Sequence, residues 1–510
     1  MKKIVDKITF SEEIRPKLKR EGKVIALCHG VFDLVHPGHV IHLQQAKQMA
    51  DILIVSITSA EYVRKGPGRP YFNDEMRLKV LEALECVDYV MLSEGYTVDD
   101  IVESVKPDLY IKGQEYAKES EDITGKMTAE RELVERYGGK VAYTTGEVFS
   151  STKLINTALS GLPEDVIRYM EGFLQKYSLG DIKKYTQEAE KLRVLVVGDV
   201  IIDKYTYCIV QGLMSKDTGY SSRLEYSEEY LGGAAAVARH LSSFTDNVTL
   251  MSIVGNEEAV RLKLFDGLAD KMRLSFSYSS SCPTIVKHRY LTKNAKREEY
   301  RKIFSINNIP GTMTYESEVR EEFYRELSKK LDESDVVFLC DFGHGLIDEN
   351  AKRLIEEKAK YFVLNCQTNS TNYGMNIITK YSRADVFTLD QKELKLAFPM
   401  YLSNEHTALE ELSIHLGADG WLTRGAAGAY GIERQSIHEC PAFTLSVKDT
   451  IGAGDAFYSI AGLYAAAGAP IELGTFMGNI AGALSANIVG NKEAVEKVNV
   501  LKYAGTLLNI

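Results

Sequence analysis

The sequence predicts two α/β domains in tandem, each built on a parallel sheet that helices cover on both faces. Short apolar runs alternate with amphipathic segments along most of the chain, as the strands of a parallel sheet alternate with helices. The alternation stops in a polar stretch at 158–190 and then resumes. The chain has 510 residues, which is more than one hydrophobic core usually supports.

Composition narrows the function classes. The chain is 45% hydrophobic and 26% charged, as is typical of a globular protein. Its net charge of −10 argues against nucleic acids or anionic membranes as main partners, because both attract basic surfaces. The charged N-terminus lacks the apolar core of a signal peptide, and no apolar run is long enough to span a membrane. Seven scattered cysteines without metal-binding spacing fit a reducing compartment, so we predict a cytoplasmic protein.

The strands of the first domain are predicted by five apolar runs, at 24–28, 51–57, 87–93, 108–113 and 140–145. After the first run, Val40, Leu43 and Ala46 recur at helical spacing and predict a helix over 39–50. We expect residues 1–157 to form a Rossmann-like domain and residues 158–190 to form a helical connector.

The first candidate site lies between the first strand and the first helix, at Gly30-Val31-Phe32-Asp33-Leu34-Val35-His36-Pro37-Gly38-His39. The free N–H groups and the dipole of a helix start favour an anion there. Gly30 permits a tight turn, and Gly38 permits a phosphate to approach the backbone. His36 and His39 are three residues apart, so both can point to one side and stabilise charge on an α-phosphate under attack.

This pattern resembles the cytidylyltransferase-like nucleotidyltransferase superfamily. The resemblance continues at Lys65-Gly66, Arg69-Pro70, Arg77, Lys112-Gly113 and Ser150-Ser151-Thr152-Lys153. It implies that a sugar or alcohol phosphate attacks ATP or CTP and releases pyrophosphate, usually with Mg²⁺. It implies catalytic roles for His36, His39 and Lys65. For nucleotide and phosphate binding it implies Gly30, Phe32, Asp33, Gly38, Arg77, Lys112, Ser151 and Thr152. Taken singly, Lys65, Arg77 and Lys112 would more often be solvated charges, and their agreement with the pattern favours ligand roles.

The second domain, residues 191–510, is predicted by a second series of apolar runs, at 193–202, 248–255, 335–343, 361–367, 385–391 and 420–428. Helical patterns intervene, among them 232–244 and the Ala/Gly-rich stretch from Asp455. Segments 204–230 and 283–305 break the alternation with β-favouring residues and predict a small lid sheet.

The second candidate site is Asp449-Thr450-Ile451-Gly452-Ala453-Gly454-Asp455, directly before a helix. The small residues Gly452, Ala453 and Gly454 let consecutive N–H groups converge on a transferring phosphoryl group. Asp455 can then take the proton of the acceptor hydroxyl. An isolated Gly-Ala-Gly-Asp would be read instead as a turn capped by aspartate.

The residues that accompany this motif resemble the ribokinase (PfkB) family. They are Gly198-Asp199, Asp203, Gly232-Gly233-Ala234-Ala235, Asp390-Gln391-Lys392-Glu393 and Thr423-Arg424-Gly425. The resemblance implies a kinase that uses ATP and Mg²⁺, with Asp390 and Glu393 at the metal and Thr423 and Gly425 at the nucleotide. For sugar binding it implies Asp203, Gly232, Gly233, Lys287 and Arg289. Asp390 replaces the asparagine of the family's N-x-x-E motif, and an aspartate can still hold a metal-bound water.

The two domains together resemble the bacterial bifunctional heptose 7-phosphate kinase/heptose 1-phosphate adenylyltransferases, with the domain order reversed. The resemblance implies an NDP-activated sugar, ADP-heptose-like or CDP-linked, for surface-glycan synthesis. This chain has Ala236 where those enzymes have asparagine, and Asn365-Cys366-Gln367 where they have Asp-Pro-Lys. We therefore expect an acceptor other than heptose 7-phosphate, with the amides of 367–372 reading its hydroxyls. The alternative is an unchanged acceptor whose phosphate Lys287 and Arg289 hold.

Two other functions stay open at this point. One domain could be a catalytically silent regulatory or scaffold module, or the whole chain could be a nucleotide-binding regulator without turnover. We expect small-molecule partners and a homo-oligomer, most simply a dimer in which the lid is the contact by analogy.

Overall fold

The computed structural model describes residues 3–63, 69–95, 97–114, 126–145, 163–216, 218–293, 300–309, 314–369, 372–401, 404–443 and 447–508. By its internal contacts the chain divides into two compact units. Unit 1 comprises Met1–Met170 and Leu501–Ile510, and unit 2 comprises Glu171–Val500. The boundaries expected at 157 and 191 stay predictions. Among the residues that the structure describes, every helix is too short or too polar to cross a bilayer.

Unit 1 is built on a five-stranded parallel sheet. Its strands are β1 Ile25–Gly30, β2 Ile52–Thr58, β3 Tyr89–Ser93, β4 Leu109–Lys112 and β5 Lys140–Tyr143, in the order β3-β2-β1-β4-β5. Its helices are α1 Pro37–Gln48, α2 Asp74–Glu82, α3 Asp99–Val105 and α4 Lys126–Arg136, after an N-terminal helical segment over Lys7–Arg20. α1 and α2 pack on one face, and α3, α4 and the N-terminal segment pack on the other. The predicted Rossmann-like sheet is confirmed.

Unit 2 is built on a nine-stranded sheet. The strands are β6 Val194–Gly198, β9 Val248–Gly255, β10 Arg273–Ser279, β13 Val336–Asp341, β14 Phe362–Cys366, β15 Val386–Asp390, β16 Asp419–Thr423, β17 Ala429–Glu433 and β18 Ser436–Cys440. Their order is β10-β9-β6-β13-β14-β15-β16-β17-β18, and the pairings of β17 with its two neighbours are antiparallel. The helices are α6 Leu179–Glu190, α7 Ala234–Ser242, α8 Glu258–Leu268, α9 Ser317–Glu333, α10 Glu349–Lys358, α11 Gln391–Ala397, α12 Glu405–Leu416, α13 Ala453–Ala466 and α14 Ile471–Ser485.

A separate four-stranded sheet forms the predicted lid. Its strands are β7 Val200–Leu213, β8 Tyr220–Gly233, β11 Ile285–Lys293 and β12 Tyr300–Asn308, in the order β12-β11-β7-β8. The prediction of one strand over 193–202 is wrong, because the chain leaves the main sheet at Asp199 and enters the lid. The strand predicted over 420–428 ends at Thr423, since Gly425 and Gly428 adopt positive φ of 57° and 85° and turn the chain.

Small residues let helix α13 lie directly on the main sheet. A side chain at Gly462 would collide with Phe338 of β13 and Val363 of β14. The opposite face of the sheet packs against α9, α10 and α12 in a continuous apolar core. This arrangement places the start of α13 at the carboxyl ends of the central strands, which is where open α/β sheets bind ligands.

Two helices lie next to the division between the units: α5 Glu164–Leu174 and α15 Lys497–Leu507. The second half of the expected connector packs on unit 2. Phe173 stacks on Phe476 with ring centroids 4.3 Å apart, and the hydroxyls of Thr186 and Tyr464 share a hydrogen bond of 2.5 Å. A capping box of Ser178 and Asp181 starts α6.

Candidate active sites

In unit 1, the two histidines of the first motif lie side by side at the start of α1. His36 is the N-cap of this helix, and its Nδ1 accepts a hydrogen bond of 3.1 Å from the Gly38 N–H. The rings of His36 and His39 have centroids 4.1 Å apart. Burial lowers the pKa of His36. A neutral ring that accepts at Nδ1 carries its proton at Nε2, where it can donate to a phosphate oxygen.

The motif had suggested that Gly30 makes the tight turn after β1. In the structure, Phe32 makes it. Phe32 is buried and has a φ of 47°, a left-handed conformation that costs a non-glycine residue about 1–3 kcal/mol. Gly30 ends the strand, and a Cβ there would lie 3.2 Å from the Phe32 ring. The glycine thus leaves room for the aromatic side chain that the turn carries inward.

Asp33 holds the chain at residues 69–72 against the first motif. Its carboxylate accepts hydrogen bonds from the Tyr71 and Phe72 N–H groups at 2.7 and 3.0 Å, and it pairs with Arg69 at 2.9 Å. Both charged side chains of the pair are only 6% exposed. The geometry gives Asp33 an anchoring task in the loop, and its predicted nucleotide contact stays a prediction.

Arg77 lies inside unit 1 and not on its surface. Its guanidinium donates to the carbonyls of Val31, Thr58 and Phe72 at 2.7, 2.9 and 3.1 Å, and to the Asp74 carboxylate at 2.5 Å. These bonds join the loop after β1 to the end of β2 and the start of α2. The structure therefore places Arg77 behind the motif, where it fixes the loop.

Lys112 at the end of β4 pairs with Glu130 of α4 at 2.9 Å, and both side chains are largely buried. The Tyr110 hydroxyl also donates to Glu130, at 3.0 Å. The remaining predicted residues of this site, Lys65, Ser151 and Thr152, lie outside the described residues.

In unit 2, the second motif and its companions meet in one cleft of about 290 Å³. The cleft lies where β14, β15 and β16 end, at the start of α13, with the lid strands β7 and β11 along one side. It is lined by ten of the predicted residues: Asp203, Gly233, Lys287, Arg289, Asp390, Glu393, Thr423, Gly452, Gly454 and Asp455. Ala453 is the first residue of α13, and Gly425 is exposed beyond Thr423. The roles of these residues stay predictions.

Asp455 lies half-buried at the first turn of α13. Its pKa is raised to about 6, mainly by burial and also by the charge of Asp203. A hydrogen bond from Gln367 and the charge of Lys287 act in the opposite direction and lower the pKa. The Gln367 Nε2 donates to Asp455 Oδ1 at 3.1 Å. A carboxylate with this pKa is mostly ionised at neutral pH and can accept a proton there.

Glycine is required at the two turns that border the cleft. Gly452 is the N-cap of α13 with a φ of 84°, and a side chain there would collide with the Asn491 amide. Gly233 has a φ of 61° and opens α7, and a side chain at the neighbouring Gly232 would collide with the Asp203 carboxylate. Nothing lies within 4 Å of a Cβ built on Gly454, so the start of α13 is open at that point.

Two cations of the lid strand β11 reach the cleft. Arg289 forms an ion pair with Asp203, and Asn491 Nδ2 donates to the same carboxylate at 3.3 Å. Lys287 makes no ion pair within 4 Å among the described residues, and its Nζ lies 5.5 Å from the centre of the Phe342 ring. Burial lowers the pKa of Lys287, although the charges of Asp203, Asp199 and Asp455 oppose this.

Asp390 and Glu393 form a capping box at the start of α11. Asp390 accepts from the Lys392 and Glu393 N–H groups, and Glu393 accepts from the Asp390 and Thr368 N–H groups at 2.9 and 3.0 Å. Burial, followed by the Asp390 charge, raises the pKa of Glu393 to about 8. A nearby cation would relieve this repulsion, so the pair fits Mg²⁺.

Among the described residues, no three His, Cys, Asp or Glu side chains are grouped as a ready-made metal site. Mg²⁺ is commonly held by one or two carboxylates together with substrate phosphates. Asp390 and Glu393 suit that mode of binding.

Sequence reasoning misassigned one part of the cleft. Asn369 and Asn372 were expected to read sugar hydroxyls, but both side-chain amides donate to the Phe342 carbonyl, at 2.9 and 2.8 Å. Their task is to join the loops after β13 and β14. Gln367 does line the cleft, but its amide donates to Asp455. Ser370 and Thr371 lie outside the described residues.

Two asparagines that line the cleft had not been assigned to the site: Asn365, which was noted only as a difference from the resembling enzymes, and Asn491. Asn365 lies close to the carboxyl end of β14, and that position in a parallel strand is the signal that could have found it. Asn491 lies far from every motif along the chain and had no such signal.

Comparison with known proteins gives two sequence families. Residues 191–497 match the pfkB family carbohydrate kinases, and residues 27–157 match the cytidylyltransferase-like family.

The Bifunctional protein HldE of Syntrophotalea carbinolica is 37% identical over 140 residues, which is 26% of this chain and 27% of that protein. The HldE of Geobacter metallireducens is 37% identical over 150 residues, 29% of each protein. These matches fall in the nucleotidyltransferase part. The chain thus spans less than a third of the length of these relatives.

Solved structures similar to this chain cover 62% of it. Phosphofructokinase-2 from Escherichia coli, in complex with substrates and products, is 15% identical with a TM-score of 0.49, over 99% of its own chain. Ribokinase from Thermotoga maritima is 16% identical with a TM-score of 0.46, over 99% of its own chain.

Proposed function

Because the chain belongs to the pfkB family of carbohydrate kinases and carries a cytidylyltransferase-like domain ahead of the kinase, we propose that it is a bifunctional transferase. One half phosphorylates a sugar or sugar phosphate, and the other couples a sugar phosphate to a nucleotide. The observation that carries the proposal is the cleft of unit 2, where a carboxylate with a pKa of about 6 lies at a helix start, in a lining that also holds three further carboxylates and a half-buried lysine.

The kinase step needs a base, an anion site and a place for the acceptor. The acceptor hydroxyl oxygen attacks the γ-phosphorus of ATP, the bond to the β-phosphate oxygen breaks, and the proton of the hydroxyl passes to Asp455. The N–H groups of Gly452 and Gly454 at the start of α13 are proposed to stabilise the charge that develops on the phosphoryl oxygens, whereas the Ala453 N–H donates to the Thr450 carbonyl at 3.3 Å. Asp390 and Glu393, together with the nucleotide phosphates, would hold Mg²⁺, which would neutralise charge on the phosphates. Thr423, which lines the cleft, is proposed to contact the nucleotide.

The nucleotidyl step needs no covalent intermediate. An oxygen of a sugar phosphate attacks the α-phosphorus of ATP or CTP, and the bond to pyrophosphate breaks. The Nε2–H of neutral His36, with His39 beside it, donates to the α-phosphate oxygens. The product is an NDP-sugar, and its use in surface-glycan synthesis follows from the resemblance to the bifunctional heptose enzymes.

The acceptor of the kinase is proposed to differ from heptose 7-phosphate. Gln367 stands where the resembling enzymes have lysine, so a cation is missing from this side of the cleft. Arg289 is already paired with Asp203. One observation favours the alternative, a phosphorylated acceptor, because Lys287 reaches the cleft without an ion pair among the described residues.

A panel of aldoses, ketoses, polyols and their monophosphates tests this choice, with ADP release as the readout. A neutral sugar or polyol is expected to have the highest kcat/KM, and Lys287→Met is then expected to change it less than tenfold. Heptose 7-phosphate as the best acceptor, with a loss of more than tenfold in Lys287→Met, would establish the alternative. A buried polar group left unpaired changes preference by about one or two decades, so the assay resolves the two cases.

We also propose that the enzyme is cytoplasmic and that the lid mediates a homodimer. Phe304 and Ile306 of β12 are 50% and 54% exposed, and their cross-strand partners on β11 are Tyr290 and His288. Leu224 of β8 is 64% exposed. Apolar side chains on an open sheet are typical of a surface that a partner covers. In analytical ultracentrifugation we expect the wild type to sediment as a dimer and the Phe304→Glu variant to sediment as a monomer.

A further inference from the structure

We propose that Gln367 is a positioning residue of the kinase reaction, whose side-chain amide holds the Asp455 carboxylate in place. This inference rests on the proposed role of Asp455 as the base. Gln367 follows β14 directly, and its side chain is the one that donates to Asp455 Oδ1, at 3.1 Å. The sequence had suggested only that its amide reads a hydroxyl of the acceptor.

The backbone of Gln367 is fixed on both sides. Its N–H donates to the Asp341 carbonyl at 2.8 Å, and its carbonyl accepts from Asn376 Nδ2 at 2.9 Å. Asn376 in turn accepts from Lys380 Nζ at 2.6 Å. The side chain of Gln367 therefore starts from a position that the loops after β13 and β14 determine together.

A chain of amides determines which end of the Gln367 side chain faces the base. Asn365 Nδ2 donates to the Thr388 carbonyl at 2.9 Å, and a carbonyl can only accept. The Oδ1 of Asn365 must then be an acceptor, and it receives Gln367 Nε2 at 2.9 Å. The second proton of the same Nε2 is directed at Asp455. The backbone of β15 thus orients a donor, and never an acceptor, towards the carboxylate.

This hydrogen bond and the charge of Lys287 together oppose the effects of burial and of Asp203 on Asp455. Burial and the charge of Asp203 both raise the pKa of Asp455, whereas a donor that binds the ionised form lowers it. Without Gln367, Asp455 would stay protonated to higher pH, and a smaller fraction of it could act as a base at neutral pH. Because the Gln367 amide is neutral, it lowers the pKa of Asp455 without placing another cation beside Lys287 in the cleft.

The test replaces Gln367 with methionine, which has a similar length and no donor. Titration of the full chain labelled with ¹³C at aspartate carboxyl carbons, with the Asp455 signal assigned from Asp455→Asn, reports the proton affinity without any substrate. We expect the pKa of Asp455 to rise by about one pH unit in Gln367→Met, and to rise further in Gln367→Glu because of the like charge.

The matched control is Tyr324→Phe. The Tyr324 hydroxyl is also a neutral, partly buried donor to a carboxylate, that of Asp348, but neither residue lines the cleft. The Asp455 titration and the pH profile of ADP release are expected to be unchanged in this variant. In Gln367→Met the acidic limb of the kcat/KM profile for ADP release is expected to move to higher pH by the same amount as the titration.

Three outcomes would separate the failure of this inference from the failure of the proposed function. If Asp455→Asn abolishes ADP release but the Asp455 titration is the same in wild type, Gln367→Met and Gln367→Glu, Gln367 has no positioning role. If Gln367→Met lowers kcat equally at every pH with an unchanged titration, its role is only structural. If Asp455→Asn retains full ADP release, the proposed base is wrong whatever Gln367 does.

Discussion

At the scale of single residues, charged groups are held in different ways in the two candidate sites. In unit 1, Asp33 and Arg77 are bound by protein donors and acceptors, and they fix the loop that carries the histidines. In unit 2, Asp455 and Lys287 face the cleft, and each has a pKa shifted by burial. Titratable groups in a cleft whose charged forms are disfavoured by burial are typical of catalytic residues. Such groups lower the stability of the fold and are kept because the reaction needs them.

The shifted pKa of Asp455 predicts a stability effect with a definite sign. An aspartate whose pKa is raised from 3.8 to about 6 stabilises the fold at low pH, and this stability is lost as the pH rises from about 4 to 6. The side-chain amide of the Asp455→Asn variant carries no charge to bury. We therefore expect this variant to be more stable than the wild type by about 3 kcal/mol at pH 8, and nearly equally stable at about pH 4.

Urea unfolding followed by tryptophan fluorescence measures this effect in unit 2 alone. Trp421 is the only tryptophan of the chain, and it is buried in β16 with its Nε1 donating to Thr475 at 3.0 Å. A variant that is no more stable than the wild type at pH 8 would contradict the account of Asp455.

At this scale the motifs located several residues correctly, although Gly30 does not make the turn and Arg77 lies behind the motif. The two histidines, the glycines at 232–233 and 452, and Asp455 lie where their motifs suggested. Side chains whose task depends on distant backbone were not predictable. Asn369 and Asn372 bind a carbonyl in another loop, and Gln367 depends on an amide chain that begins in β15. Such partners are close in space and remote in sequence, so residue type alone cannot reveal them.

At the scale of elements, the expected connector is partly a component of the kinase unit. Phe173 at the end of α5 is 1% exposed and stacks on Phe476 of α14. Lys176 and Glu472 form an ion pair of 2.8 Å nearby, and α6 buries Ile182. The polar composition of 158–190 suggested a linker, because each helix of this stretch has only a narrow apolar stripe.

This packing predicts that Phe173→Ala destabilises unit 2 by about 3–5 kcal/mol, since it leaves a cavity in a closed apolar contact. The neighbouring Leu174 is 38% exposed, so Leu174→Ala is the matched control and is expected to cost less than about 1 kcal/mol. Urea unfolding monitored at Trp421 compares the two. Equal effects of both substitutions would show that the connector is not part of the kinase core.

The strands were predictable as elements, and their ends were less so. The five runs of unit 1 became five strands within two residues of the expected bounds. The run at 193–202 reads as one apolar strand, but its two halves belong to different sheets. The apolar pattern predicts that a segment is extended and buried, but it does not predict which sheet the segment joins.

At the scale of the whole molecule, the account joins two chemistries that share a phosphorylated sugar. The proposed kinase makes a sugar phosphate, and the proposed nucleotidyltransferase consumes one. Each unit carries its own set of strands and its own candidate site. Two separate sites imply that one activity can be removed while the other is kept.

The most direct measurement is the release of ADP and of pyrophosphate, assayed separately on wild type, Asp455→Asn and His36→Ala. Asp455→Asn is expected to lower ADP release by about 10²–10⁴-fold, the range for loss of a positioned base, and to leave pyrophosphate release from a supplied sugar 1-phosphate intact. His36→Ala is expected to do the reverse. A single substitution that abolished both reactions in folded protein, or a wild type that released only one of the two products, would contradict the account.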